Sequence, residues 1–187
     1  MRILATMSAI ALLLSAPALA QTQTQPAELQ TVPPGAVGTF IDVNGAEVGT
    51  VTLTPAGDSV AITAELTGMA PGDHGFHFHE TGDCDPATAF ESAGSHFNPE
   101  NLRHGLDNPE GAHAGDLPNV TAAEDGTVSV DLQSQRISLD EGAPGYIFDA
   151  DGTALVFHAE PDDQVTDPSG NSGDRLACAV LEPASPQ

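Results

Sequence analysis

Short runs in which apolar and polar side chains alternate constrain this chain more than any other feature. In VTLT at 51–54, VAITAEL at 60–66 and VSVDLQ at 128–133, Val, Leu, Ile and Ala take turns with Thr, Ser, Glu, Asp and Gln. Successive side chains of a strand point to opposite faces, so each run sets one face against a core and the other toward water. Further short runs at 39–43, 48–53, 74–79, 146–148, 155–158 and 176–181 read as strands, and no stretch of helical period competes with them. Asn44-Gly45, between the first two, accepts the positive φ of a tight hairpin turn. With 19 Gly and 15 Pro punctuating the runs, the expectation is an all-β antiparallel sandwich or barrel. Two long irregular stretches, 80–118 and 160–174, interrupt the strands, and loops of that length in a compact domain usually carry function.

The first twenty residues stand apart. Arg2, an apolar run through Leu14 and the small-residue ending Ala18-Leu19-Ala20 form the pattern of a secretory signal peptide. The run is shorter than the ~20 residues needed to span a bilayer. Residues 1–20 are therefore expected to be removed on export, 21–36 to form a polar, proline-bearing flexible lead, and 37–183 to form the folded domain, in a periplasmic or secreted protein. The chain has no Lys, four Arg and 27 acidic residues, for a formal net charge of −23. It offers no basic surface for phosphates or anionic lipid, which argues against nucleic-acid and membrane partners, while 40% hydrophobic residues suffice for a core. Cys84 and Cys178 are the only cysteines. In an oxidising compartment they are expected to pair rather than remain as buried thiols, closing a loop of about 95 residues worth up to ~4.7 kcal/mol.

All seven histidines fall inside the expected domain. On a strand, residues two apart share a face at about 6.6 Å, so His77 and His79 lie side by side, pointing away from the core that Phe76 and Phe78 face. Paired imidazoles suit a nitrogen-preferring metal such as copper or zinc, although by themselves they are equally consistent with two solvent-facing histidines. His74 has the opposite parity and reads as a structural hydrogen-bonding residue. In the long loop, His96, His104, His113 and Asp116 supply three nitrogens and a carboxylate, a closed tetrahedral set for zinc. His158, ending an apolar strand, adds a further nitrogen to His77 and His79.

Four motifs make the pattern specific. Gly75-Phe76-His77-Phe78-His79-Glu80, Gly94-Ser95-His96-Phe97-Asn98-Pro99, His113-Ala114-Gly115-Asp116-Leu117 and Gly170-Asn171-Ser172-Gly173-Asp174-Arg175-Leu176-Ala177-Cys178 resemble, in order, those of the copper/zinc superoxide dismutases. The resemblance extends from about Val37 to Leu181. It implies a Greek-key β-sandwich or barrel of about eight antiparallel strands with two long functional loops. It also implies one copper per subunit on His77, His79, His96 and His158, and one zinc on His96, His104, His113 and Asp116. His96 would bridge the two metals as an imidazolate, which adjacent cations make possible, and would supply protons. Asp162 matches the acid that hydrogen-bonds one histidine of each set, here His77 and His104. Arg175 matches the arginine that docks a small anion beside copper. The implied activity is dismutation of superoxide to dioxygen and hydrogen peroxide, a role in antioxidant defence. Homodimers, built through differing faces, are among the family's assemblies.

In one respect the chain departs from the resemblance. Many members carry lysines near the channel, and this chain has none. Long-range attraction of an anion is therefore not expected, and salt should not slow the reaction.

Overall fold

The computed structural model describes residues 35–184; the expected signal peptide at 1–20 lies outside them, as does the lead at 21–36 save its last two residues. Ten strands follow in chain order: β1 (Ala36–Asp42), β2 (Glu47–Ala56), β3 (Ser59–Leu66), β4 (Gly72–His74), β5 (Phe76–His79), β6 (Val120–Ala122), β7 (Val128–Ser134), β8 (Ala154–His158), β9 (Arg175–Val180) and β10 (Glu182–Pro183). Helical structure among the described residues amounts to two 3₁₀ turns, Pro86–Thr88 and Glu91–Ala93.

All pairings between strands are antiparallel, in the order β4-β6-β7-β3-β2-β1-β9-β8-β5, with β10 added to β1. The two ends of that order, β4 and β5, are separated in the chain only by Gly75. The outer strands of the sheet are thus nearly continuous, and the sheet curls into a nearly closed barrel. Gly75 itself joins the seam, its amide donating to the Glu160 carbonyl and its carbonyl accepting from the His158 amide, each at 2.9 Å. The β3–β4 connection passes over β7 and β6, and the β7–β8 connection joins strands with β3, β2, β1 and β9 between them in the sheet order, which is the Greek-key pattern.

The alternation read from the sequence produces the core. Val51 and Leu53 on β2, Val60, Ile62, Ala64 and Leu66 on β3, and Val128 and Val130 on β7 are buried, while their polar neighbours Thr52, Thr63 and Asp131 are exposed. Phe40, Phe76 and Phe157 meet at the barrel's centre with ring separations of 6.0 and 6.4 Å. At the β1–β2 hairpin, the Asp42 carboxylate accepts from the Asn44 and Ala46 amides while Gly45 takes a φ of 78°.

The strands differ from expectation in three places. The run 74–79 is divided at Gly75, where the chain leaves the β6 side for the β8 side. Residues 146–148 form no strand: Gly142 and Gly145 adopt left-handed φ of 80° and 73°, folding the loop back so that Ser138 bridges Tyr146 and Ile147 is buried. Its apolar character comes from a loop packed on the core. Three-residue β6, just after Pro118, is too short to announce itself by period.

β5 and β8 are buried on both faces. Their inner residues, Phe76, Phe78, Leu155 and Phe157, join the barrel core. Ala154 and Val156 on the outer face join Phe90, Ala93 and Cys178 in a second cluster beneath the long loop. The sheet exterior expected to be wet is therefore roofed, and His77, His79 and His158 lie under that roof.

Candidate metal centre

The roof is fixed to the barrel by the Cys84–Cys178 disulfide, with a Cα–Cα distance of 5.7 Å, and by β-bridge pairing of His77 with Asp116 and of His79 with His96. These contacts bring loop residues against β5. Two four-residue groups result, His77, His79, His96 and His158, and His96, His104, His113 and Asp116, with the donor atoms of each group all within 4.8 Å of one another. They are the two sets predicted from the sequence, and His96 is common to both. His77 and His79 point away from the barrel core as strand parity requires, yet both are at most 1% exposed, because loop 80–118 covers that face.

Hydrogen bonds settle which ring nitrogen of each histidine carries a free lone pair. His79 Nδ1 lies 3.0 Å from the Gly94 carbonyl; a carbonyl only accepts, so Nδ1 holds the proton and Nε2 the lone pair. His77 Nε2 donates to Asp162 Oδ2 at 2.6 Å, leaving Nδ1 free. The Ser172 hydroxyl gives its proton to the Ser169 carbonyl at 2.9 Å and so accepts from His158 Nδ1 at 3.2 Å, leaving His158 Nε2 free. That nitrogen faces His79 Nε2 at 3.4 Å. In the first group the free nitrogens are thus His77 Nδ1, His79 Nε2, His96 Nε2 and His158 Nε2.

The second group centres on Asp116, whose Oδ1 lies 2.9 Å from His96 Nδ1, 3.0 Å from His104 Nδ1 and 3.4 Å from His113 Nδ1. Bonds of about 2.0–2.1 Å to a tetrahedral cation give ligand–ligand edges of about 3.3 Å, close to these separations. Asp116 Oδ2 is held by the amides of Gly105 and His113 at 2.8 and 2.9 Å. Asp162 links the groups, with Oδ1 3.0 Å from His104 Nε2. Asn119 and Asp162 exchange two 2.8 Å bonds, the Asn119 amide to the Asp162 carbonyl and the Asp162 N–H to Asn119 Oδ1.

The donor set fits metal ions. Three buried ring nitrogens, His77 Nδ1, His96 Nε2 and His113 Nδ1, have no hydrogen-bond partner; each would cost about 1–3 kcal/mol if left so, and coordination removes the deficit. Burial lowers the pKa of His77, and lowers those of His79 and His158 well below the ordinary imidazole range. Burial likewise takes His96 down to about 4, against the pull of Asp116. Neutral imidazole is the ligand form. For His104, burial also lowers the pKa, but the hydrogen bonds and charges of Asp116 and Asp162 at its two nitrogens prevail and raise it to about 9. Burial raises Asp116 and Asp162, but their histidine hydrogen bonds prevail and hold both well below the usual carboxylate range. His104 sits between these two acids, and beside Asp116, the carboxylate of the second group, a divalent cation would supply further positive charge.

Outside both groups, His74 sets Nδ1 and Nε2 each 2.8 Å from a carbonyl oxygen, those of His158 and Ala70. Arg175 opens β9 beside a cleft of about 570 Å³ that is also lined by His79, His96 and His158. Its guanidinium is fixed by the carbonyls of Phe90, from Nη1, and Gly94, from Nη2 at 2.8 Å. Glu91 Oε2 lies 3.9 Å from Nη2. Sequence reading did not single out the roles of Ser172 and Asn119; both act through loop-to-loop contacts that no local pattern carries.

A Greek-key barrel bearing two adjoining histidine-rich sets that share one imidazole defines a protein built for a closely spaced metal pair. Residues 47–181 match the family model described as copper/zinc superoxide dismutase. The chain is 44% identical over 142 residues to the Superoxide dismutase [Cu-Zn] of Caulobacter vibrioides, covering 74% of this chain and 80% of the relative. It is 42% identical over 143 residues to Superoxide dismutase [Cu-Zn] 2 of Aquifex aeolicus, covering 76% and 83%. Among solved structures, a SOD-like protein from Bacillus subtilis superposes with a TM-score of 0.74 at 40% identity, over 78% of this chain and 97% of that one. The chain belongs to the copper/zinc superoxide dismutase family, a family of oxidoreductases acting on superoxide with copper and zinc as cofactors.

Proposed function

We propose that the first group, His77, His79, His96 and His158, holds copper, that the second, His96, His104, His113 and Asp116, holds zinc, and that His96 is the shared ligand in superoxide dismutation. The observation that carries this reading is the opposite direction of His96's two nitrogens, Nδ1 toward Asp116 and the unpartnered Nε2 toward the other three rings. His79, His96 and His158 of the first group line the open cleft, whereas of the second only the shared His96 does, so the second is the structural member. Copper, when bound, supplies the one-electron redox cycle that oxidises one superoxide to dioxygen and reduces the next to peroxide.

The residues of this chain do the rest. Arg175, its guanidinium held by two main-chain carbonyls, presents a fixed cation to a small anion entering the cleft. His96 Nε2 is the atom that can hold a proton and pass it to the reduced anion. Asp162 orients His77 and His104 through Nε2 of each, leaving Nδ1 of both rings to the metals. The leader pattern at 1–20 and the Cys84–Cys178 disulfide support export to the periplasm or beyond, and the lysine-free acidic composition supports a protein without nucleic-acid or anionic-membrane partners.

Electron paramagnetic resonance of the copper-loaded protein tests the shared ring. Adding zinc should change the copper spectrum of the wild type and leave that of His96→Ala unchanged. A wild-type spectrum indifferent to zinc would remove the shared-ligand reading.

A further inference from the structure

We propose that Asp167 is a positioning residue for the zinc site, acting through the main chain of His104; the inference rests on the reading of His104 as a zinc ligand. Asp167 sits in loop 160–174, 63 positions from His104, yet its Oδ1 accepts from the His104 backbone N–H at 2.7 Å. Its other oxygen, Oδ2, accepts from Arg103 Nη1 at 2.6 Å. One carboxylate thus grips two consecutive residues of the opposite loop, and Arg103 reaches Glu110 Oε2 as well, at 3.8 Å.

The position of that grip matters because of what it completes. His104 Nδ1 meets Asp116 and its Nε2 meets Asp162, so the ring's plane is set from both ends. Neither contact fixes the backbone from which the ring projects. The His104 carbonyl takes a bond from Asn108 Nδ2 at 3.0 Å, and the N–H takes Asp167. The next residue, Gly105, has no room for a side chain: it adopts a φ of 108° with Gln164 main-chain atoms lying where a Cβ would stand. The two loops therefore meet at His104–Gly105, with Asp167 providing the charged contact of that seam. Asp167 is partly exposed and touches neither metal-binding group's donor atoms, so its influence on the metal runs through His104's placement. A carboxylate is suited to the task because it accepts an N–H and a guanidinium at once, and its two oxygens are spaced for adjacent donors.

Removal of such an outer partner typically weakens metal binding by about 10–100-fold. The full-length protein carrying Asp167→Ala, and separately Asp167→Asn, is compared with wild type in chelator competition for zinc and for copper, with the copper paramagnetic spectrum as a second readout. Asp167→Ala should weaken zinc binding by about 10-fold or more, while copper affinity and spectrum at the Arg175 cleft stay near wild type. Asp167→Asn should lie between the two, since its amide oxygen still accepts from His104 but no longer pairs with Arg103. Zinc binding within about twofold of wild type in both variants would overturn the role, and so would equal losses of copper and zinc, which mark general destabilisation. A His104→Ala variant with zinc affinity intact would instead overturn the zinc-site reading itself, and the role of Asp167 with it.

Discussion

Gly170 lies directly against the carboxylate of Asp162. A side-chain carbon at that position would overlap Asp162 Oδ1 and come within 2.7 Å of His104 Nε2, and the residue's φ of 60° is itself left-handed. Loop 160–174, which carries both residues, thus folds its own backbone against the acid that joins the two histidine groups.

Gly170→Ala should accordingly displace Asp162. The left-handed conformation alone costs about 1–2 kcal/mol for a residue with a Cβ, and the displaced acid weakens the hold on His77 and His104. The purified variant should melt at lower temperature and lose zinc to a chelator faster than wild type; unchanged zinc release would show that Asp162 tolerates the intrusion.

Asp162→Asn isolates the charge from the space. Its amide oxygen can accept from only one of the two rings in the observed geometry, so one of the His77 and His104 bonds is lost. Binding of the metal whose histidine loses its bond should weaken by about 10–100-fold, read by chelator competition.

The disulfide holds more than fold stability. Cys84 tethers the loop whose Phe90 and Gly94 carbonyls fix Arg175, and Cys178 lies three positions beyond Arg175. A Cys84→Ser, Cys178→Ser double variant should lose up to about 4 kcal/mol in denaturant unfolding. Its affinity for azide as a small anionic probe should fall because the guanidinium is no longer held in place.

Salt dependence follows from charge. With a net charge of −23, no lysine and Glu91 beside Arg175, no extended positive field draws an anion inward. Raising ionic strength to about 0.15 M shortens screening to about 8 Å and suppresses the long-range repulsion. The catalytic rate constant kcat/KM should stay flat or rise with added salt, and a steep fall would contradict this.

Much of this architecture was legible in local sequence because it follows from period and parity. Val60, Ile62, Ala64 and Leu66 report their own burial by alternation, and Phe76-His77-Phe78-His79 assigns core and metal faces in four residues. His74 falls outside both donor groups, though the break at Gly75 removes the continuous strand that its parity assumes. What stayed hidden depends on chain segments meeting at long range. β8 reads as an apolar strand ending in His158, and the packing of Phe90 and Ala93 from the long loop beside Val156 does not show in that run. Tyr146 to Phe148 carry the composition of a strand, but the glycine turns before them fold them as a loop. Ser172 and Asn119 occupy ordinary polar positions whose partners, His158 and Asp162, lie 14 and 43 positions away.

The most direct test is metal content and superoxide dismutation measured together on the purified protein, before and after copper removal. Close to one copper and one zinc per chain, with activity lost on copper removal and regained on its return, is the predicted result; zinc alone, with no activity after copper loading, would contradict it.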